Sequence, residues 1–136
     1  ILEMSGKFFE LADLGFGKCR FALAVKKGSN FYEGYSVKTV ATKYPGVARS
    51  FFAEKGMDVE IIKIEGSVEL APLLGLSDGI VDIVETGVTL KENGLEVAEN
   101  LISLSARLIV NSASLKLRKK ELEVIISAIQ NAVKEN

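Results

Sequence analysis

The chain has 136 residues, of which 48% are apolar, and its 17 basic and 18 acidic side chains leave a net charge of −1. This length is enough for one domain with a real core, and the balanced charge argues against nucleic acid as the main partner, because backbone binding needs a basic excess. With no histidine and a single cysteine, these 136 residues by themselves cannot supply histidine-based catalysis, histidine metal ligands, a structural zinc site or an intrachain disulfide.

No apolar run approaches the ~20 residues of a membrane-spanning helix, so no membrane partner is expected. The N-terminus lacks the basic and apolar regions of a signal peptide. Together with the lone Cys19, this favours a cytoplasmic location. Because the sequence starts with Ile1 rather than methionine, we expect it to begin inside a larger protein.

The N-terminal part combines an uncertain segment with a clear strand. Residues 1–14 are mixed, and their pattern allows either a short helix or an extended segment. Two glycines predict a turn at Asp13–Lys18. Cys19–Val25 is predicted as a strand, and its nearly continuous apolar character favours a sheet covered on both faces. A polar connection at Lys26–Gly34 follows.

The middle of the chain alternates between strand and helix patterns. Strands are predicted at Val37–Thr42 and Val59–Ile64, with a helix at Pro45–Lys55 between them. That helix carries an apolar stripe formed by Val47, Ala48, Phe51 and Phe52. Ser67 then suits the N-cap of a short helix that runs to Leu74.

The C-terminal half continues this alternation. We predict strands at Gly79–Val84, Leu95–Ser103 and Ala106–Val110, and helices at Val88–Asn93 and Leu117–Lys134. The basic run at the start of the last helix is expected to form a solvated face. The alternation predicts an α/β fold with a mostly parallel sheet.

The sequence Thr86-Gly87-Val88-Thr89 joins the Gly79–Val84 strand to the next helix. In open α/β folds, ligands bind at such strand-to-helix turns. A helix N-terminus offers free N–H groups and partial positive charge, which together suit a phosphate monoester. Asp82 and Glu85 would then face sugar hydroxyls or a metal bound to the same ligand. The alternative is an ordinary turn with Thr86 as a plain N-cap and solvated carboxylates.

Three segments stand out by their order and spacing, namely Asp13–Phe21, Gly66–Pro72 and Asp82–Leu95. Together they resemble the ATP phosphoribosyltransferase family, which catalyses the first step of histidine biosynthesis. The resemblance covers nearly the whole chain. It implies a two-lobed catalytic core similar to type II periplasmic binding proteins, with the active site in the cleft.

The resemblance also implies a division of the chain into lobes. Residues 1–26 would be a remnant of the first lobe, residues 27–103 the second lobe, which binds phosphoribosyl pyrophosphate, and residues 104–136 a return strand and long C-terminal helix of the first lobe. The rest of the first lobe would precede Ile1. We expect no histidine-binding regulatory domain after the last helix, and in this respect the chain resembles the short form of the family. That form works with a regulatory subunit related to histidyl-tRNA synthetase and is expected to form homo-oligomers.

The family reaction transfers phosphoribosyl from phosphoribosyl pyrophosphate to N1 of ATP and releases pyrophosphate, with Mg²⁺ present. Carried over to this sequence, Thr86, Gly87, Val88 and Thr89 would hold the 5′-phosphate, with Val88 contributing only its backbone. Asp82 and Glu85 would be the catalytic carboxylates, contacting ribose hydroxyls or Mg²⁺. The direct metal ligands are not assigned.

By the same resemblance, Ser67 and Glu69 would line the ATP side of the cleft. The alternative for Ser67 is a helix cap, and for Glu69 a favourable acid at a helix N-terminus. Lys18, Arg20 and Arg107 have the charge to meet a polyphosphate, but surface pairing is favoured for them. Cys19 is expected to be a packing residue.

Two other functions remain open from the sequence. A type I phosphoribosyltransferase also uses two acids before a Thr-Gly-x-Thr-Leu loop, although its acids are usually adjacent and it has no counterpart of Gly66–Pro72. A non-enzymatic lobe that only binds a small anion is the second alternative. Titration with phosphoribosyl pyrophosphate would separate these classes.

Overall fold

The computed structural model describes residues 1–3 and 6–135, so predictions that fall on residues 4, 5 and 136 lie outside the described residues. Within them the chain forms seven strands and five helices, which are, in chain order, β1 (Phe8–Asp13), β2 (Cys19–Lys26), β3 (Lys38–Thr42), α1 (Pro45–Glu54), β4 (Val59–Lys63), α2 (Leu70–Leu73), β5 (Gly79–Val84), α3 (Val88–Glu92), β6 (Leu95–Leu104), β7 (Arg107–Asn111), α4 (Ser112–Leu117) and α5 (Lys119–Lys134). They divide into two compact units. The larger contains residues 1–3 and Cys19–Ser103, and the smaller contains residues 6–18 and 104–135.

The larger unit is built on a five-stranded sheet with the strand order β4-β3-β5-β2-β6. β3 pairs in parallel with both β4 and β5, whereas β2 pairs antiparallel with β5. Each of the three parallel strands is followed by a helix, as parallel connections require. The predicted α/β class with a mostly parallel sheet is confirmed.

Strand β2 is enclosed on both faces, as its apolar sequence predicts. Its residues from Phe21 to Val25 are all buried. Successive side chains of a strand point to opposite faces, so both faces of β2 must be covered. Ala22 and Ala24 belong to a core cluster that also contains Val68 and Ala71 from the α2 region.

β2 belongs to the larger unit, whereas the sequence assigned residues 1–26 to the first lobe. The strand pairs with β5 at six positions from Arg20 to Val25. The chain therefore passes from one compact unit to the other after residue 18 and again after residue 103. The assignment of the segments to the two lobes of the family stays a prediction.

Helix α1 matches its predicted position. Val47, Ala48 and Phe52 of the predicted stripe are buried. Pro45 opens the helix, and the Glu3 carboxylate accepts the N–H groups of Gly46 and Val47 at 2.9 Å each. The acid thus satisfies two N–H groups that the helix itself leaves unpaired.

Helix α2 begins later than predicted, so the prediction of Ser67 as its N-cap is wrong. Glu69 occupies the cap position, and the Ser67 carbonyl accepts the Leu70 N–H over 3.3 Å. A turn held by backbone bonds therefore precedes the helix.

In the smaller unit, β1 and β7 form an antiparallel pair with an irregularity between Glu10 and Ala12. The extended alternative for the N-terminal segment is thus confirmed over Phe8–Asp13. The predicted helix at Leu117–Lys134 is confirmed as α5 over Lys119–Lys134, but its start differs, because Leu117 ends α4 and Arg118, whose backbone is not helical (φ −130°, ψ 35°), separates the two helices. The helical region also starts earlier, since the Asn111 side chain caps α4 by accepting the Ser114 N–H at 2.9 Å. None of the helices in the described residues is long and apolar enough to cross a membrane.

Candidate active site

The turn after β5 joins this strand to α3, as its sequence predicts. Gly87 occupies the cap position of α3 with φ +82°, in the left-handed region. A Cβ at Gly87 would meet only the Val84 side chain, at 3.9 Å, which is an ordinary contact. Backbone conformation rather than lack of space therefore favours glycine here.

Thr86 and Val88 are linked across this turn. The Val88 N–H donates to the Thr86 hydroxyl oxygen over 3.4 Å. This distance is long for a hydrogen bond, so the interaction is weak. Thr86 is exposed and Gly87, not Thr86, takes the cap position, which weighs against the plain N-cap alternative.

A pocket of about 310 Å³ surrounds the turn. It brings together the end of β5, the connecting turn, the first residues of α3 and one residue from before α2. Its lining residues are Glu69, Asp82, Ile83, Val84, Glu85, Thr86, Gly87, Val88, Thr89 and Leu90. All the predicted phosphoribosyl pyrophosphate residues and Glu69 are therefore in one place, whereas Ser67 is exposed and lies outside this lining.

Asp82 lines the pocket and is partly buried. Burial raises its pKa, and the nearby Glu69 carboxylate raises it further, while the Ile83 N–H and the Lys43 ammonium lower it. The Ile83 N–H donates to Asp82 Oδ1 at 2.8 Å. A partly desolvated acid with a perturbed pKa is typical of functional sites.

Lys43 and Tyr44 lie beside this acid, and sequence reasoning assigned no role to either. Thr42 is in register with Val81, so the residues after β3 and β5 reach the same edge of the sheet. The buried Thr42 hydroxyl donates to the Val81 carbonyl at 2.6 Å and accepts the Tyr44 N–H at 2.9 Å, which locks the two strand ends together. Burial raises the pKa of Tyr44, and the Asp82 charge contributes. The signal that would have found Lys43 is its position directly after a parallel strand.

Arg20 reaches the turn from the neighbouring strand β2. Its Nη1 donates to the Glu85 carbonyl at 3.3 Å, and its Nε donates to Asn100 Oδ1 at 2.6 Å. Arg20 is thus bound to polar groups near the candidate site. The expected surface pairing is confirmed for Arg107, which forms ion pairs with Glu10 at 2.8 Å and Asp13 at 3.2 Å in the smaller unit.

Comparison with known proteins adds the decisive observation. The family model "HisG: ATP phosphoribosyltransferase" matches residues 1–131. The chain belongs to the ATP phosphoribosyltransferase family. Membership of this family favours neither of the two alternatives that the sequence left open, a type I phosphoribosyltransferase and a non-enzymatic lobe that only binds a small anion.

Individual relatives agree with the family model. The ATP phosphoribosyltransferase of Clostridium kluyveri is 62% identical over 135 residues, which cover 99% of this chain and 62% of that protein. Among solved structures, an "ATP phosphoribosyl transferase (HisG:HisZ) complex from Thermotoga maritima" has a TM-score of 0.85 at 36% identity, covering 95% of this chain and 63% of that chain. The chain therefore spans less than two thirds of the length of these relatives.

A more distant similarity concerns the fold alone. Holo ArgBP from T. maritima has a TM-score of 0.62 at 16% identity and covers 94% of this chain. The predicted similarity of the fold to that of periplasmic binding proteins is confirmed. The roles of the individual pocket residues stay predictions.

Proposed function

We propose that the protein carrying this chain transfers phosphoribosyl from phosphoribosyl pyrophosphate to N1 of ATP and releases pyrophosphate, the first step of histidine biosynthesis. The observation that carries the proposal is the pocket at the end of β5, in which two acids and a Thr-Gly-Val-Thr turn come together in a member of this family. In the reaction, the bond from C1 of the ribose to the pyrophosphate oxygen breaks, and the electron pair leaves with the pyrophosphate. The bond from C1 to N1 of the adenine forms.

The turn supplies the 5′-phosphate subsite in this proposal. Thr86 and Thr89 provide hydroxyl donors, and Gly87 and Val88 provide backbone N–H groups at the start of α3. Hydrogen bonds to a charged phosphate are short and stronger than neutral ones. The weak bond from Val88 N–H to Thr86 is readily exchanged for a phosphate oxygen.

Asp82 and Glu85 act next to the ribose. Both line the same pocket as the turn. As the leaving group departs, the ribose gains positive charge, and a fixed carboxylate stabilises that charge more than it stabilises the ground state. The carboxylates also accept hydrogen bonds from ribose hydroxyls, which orients C1 for attack by the adenine nitrogen. No protein nucleophile is needed.

ATP is proposed to bind on the side of Glu69. This residue lines the pocket, and its charge contributes to the raised pKa of Asp82. Ser67 is assigned to the same side by family resemblance alone, since it lies outside the pocket lining.

Mg²⁺ is proposed to enter with the substrates. Among residues 1–3 and 6–135, no group of three or more histidine, cysteine, aspartate or glutamate side chains is arranged to hold a metal ion. Magnesium is commonly held by one or two carboxylates together with substrate phosphates, and Asp82, Glu85 and Glu69 offer such oxygens. When bound, the ion would neutralise charge on the departing pyrophosphate.

A regulatory subunit is the proposed partner. The solved relative from T. maritima is a HisG:HisZ complex, and this chain is 36% identical to the chain it matches there. We further propose that the catalytic chain self-associates, as the family resemblance implies.

The test is formation of phosphoribosyl-ATP by the full-length protein, followed by mass spectrometry with and without the regulatory subunit. Product is expected only when ATP, phosphoribosyl pyrophosphate and Mg²⁺ are all present. Glu85→Gln should lower turnover strongly, because a carboxylate beside the ribose is lost. Turnover by Glu85→Gln equal to that of the natural protein would contradict the role of this acid, and absence of product under every condition would contradict the function.

A further inference from the structure

The Arg20 side chain contacts two parts of the larger unit that both lie far from Arg20 in sequence. Arg20 lies opposite Val84 in the β2–β5 pairing, so its side chain emerges where β5 ends. Nη1 then donates to the Glu85 carbonyl at 3.3 Å, and Nε donates to Asn100 of β6 at 2.6 Å. One guanidinium thereby bridges β6 to the first peptide of the turn.

This bridge acts on the peptide that joins Glu85 to Thr86. A trans peptide is planar, so its N–H points opposite to its carbonyl. The contact from Arg20 to the Glu85 carbonyl is long, but its donor carries a full positive charge, so it orients the carbonyl toward Arg20 and the Thr86 N–H in the opposite direction. A positive group on the carbonyl also polarises the peptide and makes its N–H a stronger donor.

We infer that Arg20, held by Asn100, is a positioning residue that orients the Glu85–Thr86 peptide for binding of the 5′-phosphate of phosphoribosyl pyrophosphate. The inference rests on the proposed function, because it assigns that phosphate to the turn. Arg20 is not among the residues that line the pocket, so it acts through the peptide. Asn100 belongs to none of the sequence motifs. Among the hydrogen bonds of the described residues, its side chain bonds to Arg20 and not to the turn.

Two other roles for Arg20 predict different behaviour. If Arg20 only supplies positive charge near the phosphate, lysine should replace it. If Arg20 only braces the sheet, its loss should lower stability without a preference between substrates. A positioning role requires the planar fork of arginine, because a single ammonium group does not present donors to both Glu85 and Asn100 in fixed directions.

The test measures kcat and the KM of each substrate in the full-length protein, after thermal unfolding confirms that each variant is folded. Arg20→Met and Arg20→Lys should each raise the KM of phosphoribosyl pyrophosphate about tenfold, since methionine loses both hydrogen bonds and lysine cannot make both in fixed directions. The KM of ATP should stay within about twofold. Asn100→Ala should raise the KM of phosphoribosyl pyrophosphate about threefold, and Asn100→Asp, which keeps an acceptor for Nε, should restore it.

Lys55→Gln is the matched control. Lys55 forms an ion pair at 2.8 Å with Glu99, the residue before Asn100 in β6. Because successive side chains of a strand alternate, Glu99 points to the face of β6 opposite to that of Asn100. This variant removes one positive charge and one bond to the same strand, so it should lower the melting temperature and leave both KM values unchanged.

A second readout follows the turn directly. In ¹⁵N-labelled full-length protein, phosphoribosyl pyrophosphate should shift the Thr86 amide signal, and this shift should be reduced in Arg20→Lys. The inference is overturned if Arg20→Lys behaves like the natural protein, or if Asn100→Ala matches Lys55→Gln. Absence of phosphoribosyl-ATP formation by the natural protein would overturn the proposed function as well, whereas normal activity with unaffected Arg20 variants would overturn this inference alone.

Discussion

The Val88 N–H donates to the Thr86 hydroxyl oxygen over 3.4 Å, at the turn where β5 passes into α3. The bond is long, and both residues are exposed at the pocket. The Thr86 hydroxyl and the Val88 N–H can therefore give up the bond between them, and each can then donate to an oxygen of an incoming phosphate. In the absence of substrate they satisfy each other only weakly.

Replacement of the Thr86 hydroxyl should weaken binding of phosphoribosyl pyrophosphate. We expect Thr86→Val to raise its dissociation constant by roughly five- to fiftyfold, because one charge-assisted bond to phosphate is lost. Thr86→Ser, which keeps the hydroxyl, should stay within about threefold of the natural protein. Isothermal titration of the full-length protein measures both. A dissociation constant of Thr86→Val equal to that of Thr86→Ser would speak against a hydroxyl contact.

Gly87→Ala should reduce both stability and binding, because alanine is strained at φ +82°. The expected loss of unfolding free energy is about 1–2 kcal/mol. Gly94→Ala is a matched control, since Gly94 has φ +70°, open space for a Cβ and no place in the pocket lining. Thermal unfolding should show similar losses for the two variants, whereas only Gly87→Ala should lose affinity for phosphoribosyl pyrophosphate. Equal affinities would mean that the conformation of Gly87 does not matter for binding.

Asp82→Asn should stabilise the fold at neutral pH and lower activity. Burial raises the pKa of Asp82 above its ordinary value, so ionisation is harder in the folded state than in the unfolded state. This penalty is fully present above the raised pKa and disappears below the ordinary value of about 4. The gain in melting temperature of Asp82→Asn should therefore shrink as the pH falls from 7 to 3.5.

The exposed Asp58 provides the control for this experiment. Asp58→Asn should change neither melting temperature nor activity. A melting temperature of Asp82→Asn below that of the natural protein at pH 7 would show that the attraction between Asp82 and Lys43 outweighs the cost of burial.

Glu99 should show the opposite pH dependence. Hydrogen bonds from Lys55 and Tyr32 lower its pKa, so its charged form stabilises the fold above its ordinary pKa, and that contribution is lost as the pH falls through the lowered value. Glu99→Gln should cost about 1 kcal/mol or less at pH 7, because Glu99 and its partner Lys55 are both about one-third exposed, and the cost should be smaller at pH 3. Glu65→Gln, which breaks the more exposed pair with Lys63, should have no measurable effect at either pH. Denaturant unfolding at both pH values measures these differences.

Much of the fold could be predicted because the strands of the larger unit carry local signals. The apolar run of β2 indicated a strand buried on both faces, and Pro45 with its apolar stripe indicated α1. The break at Arg118 could not be predicted, since no glycine or proline marks it and the start of α4 depends on the Asn111 cap. The prediction of Ser67 as the N-cap of α2 was wrong for a similar reason, because a turn held by backbone hydrogen bonds, and not a side-chain cap, precedes this helix.

The candidate site was only partly predictable. The Thr-Gly-Val-Thr turn and its acids lie in one continuous segment, so their proximity follows from the sequence. Arg20 and Asn100 are 80 residues apart, and their contact depends on the order of the strands in the sheet. Lys43 lies near Asp82 because β3 and β5 are parallel neighbours. Its position directly after a predicted strand was a signal, but the pairing of these two strands is not visible in the local sequence.

The central claim is that the 5′-phosphate of phosphoribosyl pyrophosphate binds at the turn from Thr86 to Thr89. Its most direct test is titration of phosphoribosyl pyrophosphate into full-length Thr89→Ala and Val88→Ala, two adjacent exposed positions in the first turn of α3. Thr89→Ala should weaken binding by roughly five- to a hundredfold, because a hydroxyl contact to a charged phosphate is lost. Val88→Ala should bind like the natural protein, since only its backbone takes part, and affinity for ATP should change less. Equal losses in the two variants, or no loss in either, would contradict the claim.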